Sequence, residues 1–186
     1  MILPIYTYGQ PVLRKKTTDI DFANYQKLSE LIANMYETMY NAEGVGLAAP
    51  QIGLTDRIFV VDLTPLADDK NPQFDGFKKV FINAHITERS GEVESVKEGC
   101  LSIPGVNEKV PRQGEIRIQY LDENGQAHDE TYSGFMARVI QHEYDHLDGE
   151  MFVDHIPSFR KLMIKSKLSA LKSGKVKCDY LVRVKR

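Results

Sequence analysis

The sequence predicts an α+β fold: small antiparallel or mixed β-sheets packed around one central helix, with a further helix towards the C-terminus. Three observations predict it. Residues 115–121, Glu-Ile-Arg-Ile-Gln-Tyr-Leu, alternate polar and apolar and run into Asp122-Glu123-Asn124-Gly125, so a hairpin returning through residues 126–132 is expected. Directly after it, Phe135, Met136, Val139, Ile140 and Leu147 recur at helical spacing and form the expected inner face of the central helix. One more apolar-periodic segment precedes the strands and another follows the central helix, an order that does not alternate as parallel βαβ units do.

Taken in order, residues 1–20 read as an extended arm, because Pro4, Gly9 and Pro11 forbid a long helix. From 24 to 41, Leu28, Leu31, Ile32, Met35 and Met39 repeat at three and four, which predicts an amphipathic helix with Asn24 as its N-cap. Glycines at 44 and 46 then turn the backbone. Residues 57–62 and 79–86 are rich in branched side chains and read as strands, with 64–76 between them as a surface loop. Ser133-Gly134 opens the central helix. Residues 159–171 show helical spacing and stop at Ser173-Gly174, leaving 175–184 as a last strand.

At 186 residues with 42% hydrophobic content, a single domain spanning 1–186 is expected. No run of eighteen apolar residues exists, and Met1-Ile2-Leu3-Pro4 breaks at once into Tyr, Gly and Gln, so a soluble, cytoplasmic protein without membrane association is expected. Two cysteines make no disulfide framework. The net charge of −2 hides an asymmetry: residues 157–186 hold ten Lys or Arg against one acid, a net of +9, while the first 156 hold 14 basic and 25 acidic groups, a net of −11. A basic tail on an acidic body can dock on a polyanion such as ribosomal RNA; the alternative is a solvated helix. No coiled-coil heptad argues for more than a monomer.

The densest chemistry lies in residues 141–149, Gln-His-Glu-Tyr-Asp-His-Leu-Asp-Gly. His142 and His146, four apart on a helix, can reach one divalent metal, while Glu143 points about 100° around the helix and can act on water without being a ligand. A hydrolytic metal site needs a third protein ligand and an open position. Downstream, Phe152 stands where a further His would be needed, Glu150 is too close to fold back, and His155 reads as a loop residue. Upstream, Glu98-Gly99-Cys100-Leu101-Ser102 offers Cys100, whose thiolate suits zinc or ferrous iron. The alternative for a lone Cys is a buried small apolar residue, and that description, or simple exposure, fits Cys178 of the tail better.

Gly44-Val45-Gly46-Leu47-Ala48-Ala49-Pro50-Gln51 completes a set. With residues 98–102 and 141–149, in this order and spacing, it resembles the three-motif signature of peptide deformylases, and the similarity runs from Pro11-Val12-Leu13-Arg14 to Val153-Asp154. Asn83-Ala84 stands where members often have Asn-Pro, and 64–76 is longer than in short members, which touches the rim of the site. The resemblance implies that Cys100, His142 and His146 hold one divalent metal, Fe²⁺ in the cell, although Zn²⁺, Ni²⁺ and Co²⁺ accept the same donors. It implies Glu143 as general acid and base, and Gln51 with the backbone N–H of Leu101 as oxyanion donors. The substrates would be N-formylmethionyl peptides of nascent chains, with formate released. Their backbone would pair with Gly44, Val45 and Gly46 as an added strand, glycine leaving room for it, and Val139 and Phe135 would wall the methionine pocket unless both are ordinary core. A metallopeptidase, or a structural metal or RNA-binding module, remains the alternative at this point.

Overall fold

The computed structural model describes residues 1–184; Lys185 and Arg186 of the basic tail lie outside the described residues. Its elements are β1 (Ile5–Tyr6), α1 (Leu28–Asn41), β2 (Gly46–Ala48), β3 (Ile58–Asp62), β4 (Lys78–Gly99), β5 (Asn107–Leu121), β6 (Ala127–Ser133), α2 (Gly134–Leu147), α3 (Ser158–Lys172) and β7 (Val182–Arg183), with short 3₁₀ turns between. Strands β2 to β6 form one antiparallel sheet in sequence order, and β1 pairs in parallel with β7, so the two ends of the chain meet. This is the expected α+β arrangement.

The sheet has a helix on each face because β3 and the start of β4 are apolar on both. Ile58, Val60, Val80 and Ile82 face α1 and pack with Leu28, Ile32, Met35 and Met39. Phe59, Val61 and Phe81 face α2 and pack with Ala137, Val139, Ile140, Tyr144 and Leu147. Each buried aliphatic or aromatic side chain contributes on the order of 1.5–3 kcal/mol. Phe59 and Phe81 stack across the sheet at 4.5 Å between ring centroids. A third cluster joins Ile103, Val106 and Val110 to Met151, Phe152, Ile156 and the buried side of α3. Helix α2 is therefore the centre of the molecule, and every residue from Ala137 to Leu147 is buried. It stops at Gly149, which is left-handed with φ 75° and whose missing Cβ lets the Arg14 carbonyl approach.

Four expectations need correction. Helix α1 starts at Leu28 behind a left-handed Lys27, whereas Asn24 sits in a preceding 3₁₀ turn and bonds Asp21; local Asx bonding captured the residue expected to cap the helix. Strands β4 and β5 extend far beyond 79–86 and 115–121 as a two-stranded ribbon that leaves most of residues 87–97 exposed, so no apolar alternation marks it. Its register shifts near Asn83 and Ser90, and Asn83 adopts φ 52°, its side chain bonding both the N–H and the carbonyl of Ile20. The last strand is only Val182–Arg183, and residues 175–181 are a loop apart from it. Phe135 is 42% exposed and does not belong to the inner face of α2. It lies at the helix's first turn, beyond the sheet, where Phe74 of the 64–76 segment packs on its ring at 5.7 Å.

Candidate active site

Three segments distant in sequence converge on a cavity of about 930 Å³ lined by Gly44, Val45, Gly46, Gln51, Cys100, Leu101, Phe135, Val139, His142 and Glu143, among others. Antiparallel pairing with β3 places β2 at the edge of the sheet, so its outer backbone borders this cavity. The hairpin of β4 and β5 ends in the turn that holds Cys100 and Leu101. Helix α2 supplies the rest from below.

Helical spacing sets His142 and His146 on one face, with ring centroids 5.3 Å apart. The Cys100 thiol lies 3.3 Å from His146 Nε2, and donor atoms of Cys100, His142 and His146 all fall within 4.8 Å of one another. Burial pushes the Cys100 thiol up, but the charge of His146 and the hydrogen bonds of His142 and His146 outweigh it and hold the thiol at about 5. A thiolate and two imidazoles with a remaining open side are the donor set of a catalytic metal centre. The Glu143 Oε2, buried with no hydrogen-bond partner among the described residues, agrees, because such an atom is costly in a site built for protein contacts alone. The residues fit a divalent metal.

His142 is oriented by a group that sequence reasoning passed over. Its Nδ1 lies 2.9 Å from Glu98 Oε2, which turns Nε2 towards the cavity. Burial works against the Glu98 charge, yet the hydrogen bonds of His142 and Arg112 bring its pKa down to about 2. Arg112 grips Glu98 through Nε at 2.6 Å and Nη2 at 3.0 Å, Arg138 adds Nη1 at 2.8 Å, and Arg112 Nη1 also reaches Asp145 at 2.8 Å. Glu98 stood inside a motif, but Arg112 is on β5, and nothing in its sequence neighbourhood signalled the partnership. His155 lies against Asp145 and Glu150, at 3.1 and 3.3 Å, and not beside Cys100.

Glu143 is held differently. Burial pushes its carboxyl up to about 7, with the neighbouring imidazoles only partly opposing the shift. Both glycines of the first motif are explained by this neighbourhood: a Cβ on Gly46 would overlap the Glu143 carboxyl group, and one on Gly44 would come within 2.7 Å of Leu101 Cδ1. The room they leave is thus filled by the site's own side chains, where the sequence pointed to room for a peptide. Gln51 is fixed in orientation, because its Oε1 accepts the Ala48 N–H at 2.8 Å. Its Nε2 then donates to Ser102 Oγ at 3.2 Å and to Cys100 Sγ at 3.6 Å. Val139 is buried and Phe135 half exposed, and both line the cavity.

The tail, remote in sequence from every proposed catalytic residue, reaches the site in space. Lys177, Cys178, Asp179 and Tyr180 line the same cavity, and the Tyr180 hydroxyl donates to the Leu101 carbonyl at 2.7 Å. No local pattern in the sequence marks Tyr180 for this contact.

Known proteins share these segments. The family model described as polypeptide deformylase matches residues 2–162. A peptide deformylase of Christiangramia forsetii is 55% identical over 98% of this chain and 96% of that protein, and one of Flavobacterium psychrophilum is 52% identical over 99% and 97%. Among solved structures, the peptide deformylase of Thermus thermophilus superposes with a TM-score of 0.80 at 39% identity, covering 94% of this chain and all of that one. Similarity of this extent, running through all three segments that meet at the cavity, makes this chain a member of the polypeptide deformylase family.

Proposed function

We propose that this protein hydrolyses the formyl group from the N-terminal formylmethionine of new polypeptides, releasing formate, and that residues 1–186 act as one catalytic domain. The observation that carries the reading is the buried Glu143 carboxyl group, whose Oε2 has no hydrogen-bond partner among the described residues, beside the Cys100, His142 and His146 donors. A divalent metal held by these three donors supplies Lewis acidity, which brings the pKa of water from about 16 to near 7; we infer Fe²⁺ in the cell. The thiolate needs a reducing compartment, which favours the cytoplasm.

The residues divide the reaction among them. The substrate backbone adds to the open edge of β2 beside Gly44–Gly46, and Val139 and Phe135 take the methionine side chain. Glu143 accepts a proton from the attacking water and returns it to the departing amine nitrogen. A carboxyl group with its pKa near 7 can do both at neutral pH. The Leu101 N–H and the Gln51 Nε2 donate to the oxygen of the formyl carbonyl as it gains negative charge, Gln51 exchanging its long 3.6 Å contact with Cys100 Sγ for that oxygen while its Oε1 stays held by the Ala48 N–H. Water is consumed, and one formate and one free amine result.

Formate release from formyl-Met-Ala-Ser, set against amino-acid release from Met-Ala-Ser, tests the reading. Formate from the first and nothing from the second is expected; free methionine from the second would support a metallopeptidase instead. We further infer that the tail docks on ribosomal RNA through exposed Lys165, Lys167 and Lys172. Substituting all three with Glu should abolish a co-sedimentation with ribosomes that weakens as salt rises. Co-sedimentation that survives the substitution would remove the idea.

A further inference from the structure

The family match ends at residue 162, yet the chain continues past α3 and returns to the cavity. That segment is anchored on both sides of Tyr180. Behind it, the Lys175 N–H closes the end of α3 on the Ala170 carbonyl at 2.9 Å. Ahead of it, the Ile5 N–H bonds the Leu181 carbonyl at 2.9 Å and the Thr7 N–H bonds the Arg183 carbonyl at 3.2 Å. The Tyr180 ring is packed against the α1 side of the core together with Leu101.

The turn it touches is pinned at three successive carbonyls. That of Cys100 accepts the Ile103 N–H at 2.9 Å, that of Ser102 accepts the Tyr8 N–H at 2.8 Å, and that of Leu101 accepts the Tyr180 hydroxyl at 2.7 Å. Tyr8 belongs to the N-terminal arm and Tyr180 to the C-terminal segment, and the two arms are joined by the β1–β7 pair. The turn that presents Cys100 and the Leu101 N–H is thus clamped between the two ends of the chain. Of the three bonds, only that of Tyr180 comes from a side chain.

From this we infer that Tyr180 is a positioning residue for the hydrolysis: by holding the Leu101 carbonyl it fixes the turn whose Leu101 N–H is aimed at the formyl oxygen. The inference rests on the deformylase reading above. Donors aimed in advance at a developing charge stabilise the transition state more than the bound substrate, so loss of the clamp should appear in kcat and not in KM.

Tyr180→Phe keeps the packed ring and removes one hydrogen bond. In the metal-loaded full chain, with formyl-Met-Ala-Ser, it should lower kcat about tenfold, as expected for one neutral hydrogen bond. KM should stay within about twofold, and one metal should remain bound per chain. In the same variant the Leu101 carbonyl carbon resonance should shift, with changes spreading to Cys100 and Ser102. A kcat within about twofold of wild type, a rise in KM alone, or a thermal midpoint lowered by more than about 10 °C would each overturn the inference, leaving a substrate wall or a structural prop. A wild-type protein that releases no formate would instead sink the functional reading. The carbonyl resonance still decides the clamp in that case, because an unshifted Leu101 signal rejects it without any activity.

Discussion

Helices α2 and α3 are of nearly equal length, 14 and 15 residues, and both are dense in charge, yet they end in opposite environments. Helix α2 buries Arg138, Glu143 and Asp145 with its histidines, while α3 buries only Ile164 and Leu171 and leaves Phe159, Leu162 and Met163 exposed at 68, 67 and 60%. The difference lies in partners and not in composition. An unpaired buried charge costs several kcal/mol, so α2 can occupy the centre only because Glu98, Arg112 and the backbone meet its polar groups. Among its buried carboxylates and guanidinium, Glu143 is the exception, its Oε2 having no partner among the described residues, and it is the group given the chemistry.

The largest break in this comparison comes from the donors themselves. Cys100→Ala, His142→Ala and His146→Ala should each lose the metal and all measurable turnover, because two remaining donors forfeit much of the binding free energy. Metal content by elemental analysis checks this. Cys178→Ala should retain one metal per chain.

Next in size is the charge network beneath the site. Arg112→Leu leaves Glu98 and Asp145 without their shared cation, and the protein should lose about 3–5 kcal/mol in urea unfolding, as for other broken buried pairs. A loss below about 1 kcal/mol would mean that water already screens these carboxylates, contrary to their burial.

The smallest effect sharpens the other side of the comparison. Phe159→Ser with Leu162→Ser removes exposed apolar surface from α3 and should change unfolding free energy by less than about 0.5 kcal/mol for each site. A larger loss would show that this face is covered in solution.

The legibility of the molecule follows the same division. Residues 141–149 were readable because two ligands and a base share one local helix, and 44–51 and 98–102 because turn glycines and a lone thiol stand out locally. What escaped was set by distance in sequence or by competition nearby. Arg112 meets Glu98 across a hairpin, Tyr180 meets Leu101 across 79 positions, and Asn24 was captured by Asp21 instead of capping α1. The β4–β5 ribbon was invisible beyond its core-facing ends, because the β4 half is largely exposed and the β5 half buries charged Glu108 and Arg112 alternately with exposed residues, so neither shows apolar alternation.

Glu143→Ala tests the central claim most directly, since it removes the buried carboxylate of α2 whose Oε2 has no partner among the described residues while leaving the donors intact. The variant should keep one metal per chain and its fold, with formate release from formyl-Met-Ala-Ser lowered on the order of 10²- to 10⁴-fold. Loss of the metal would make Glu143 a ligand, and turnover near the wild-type rate would take the acid–base chemistry away from it; either result contradicts the mechanism derived from this site.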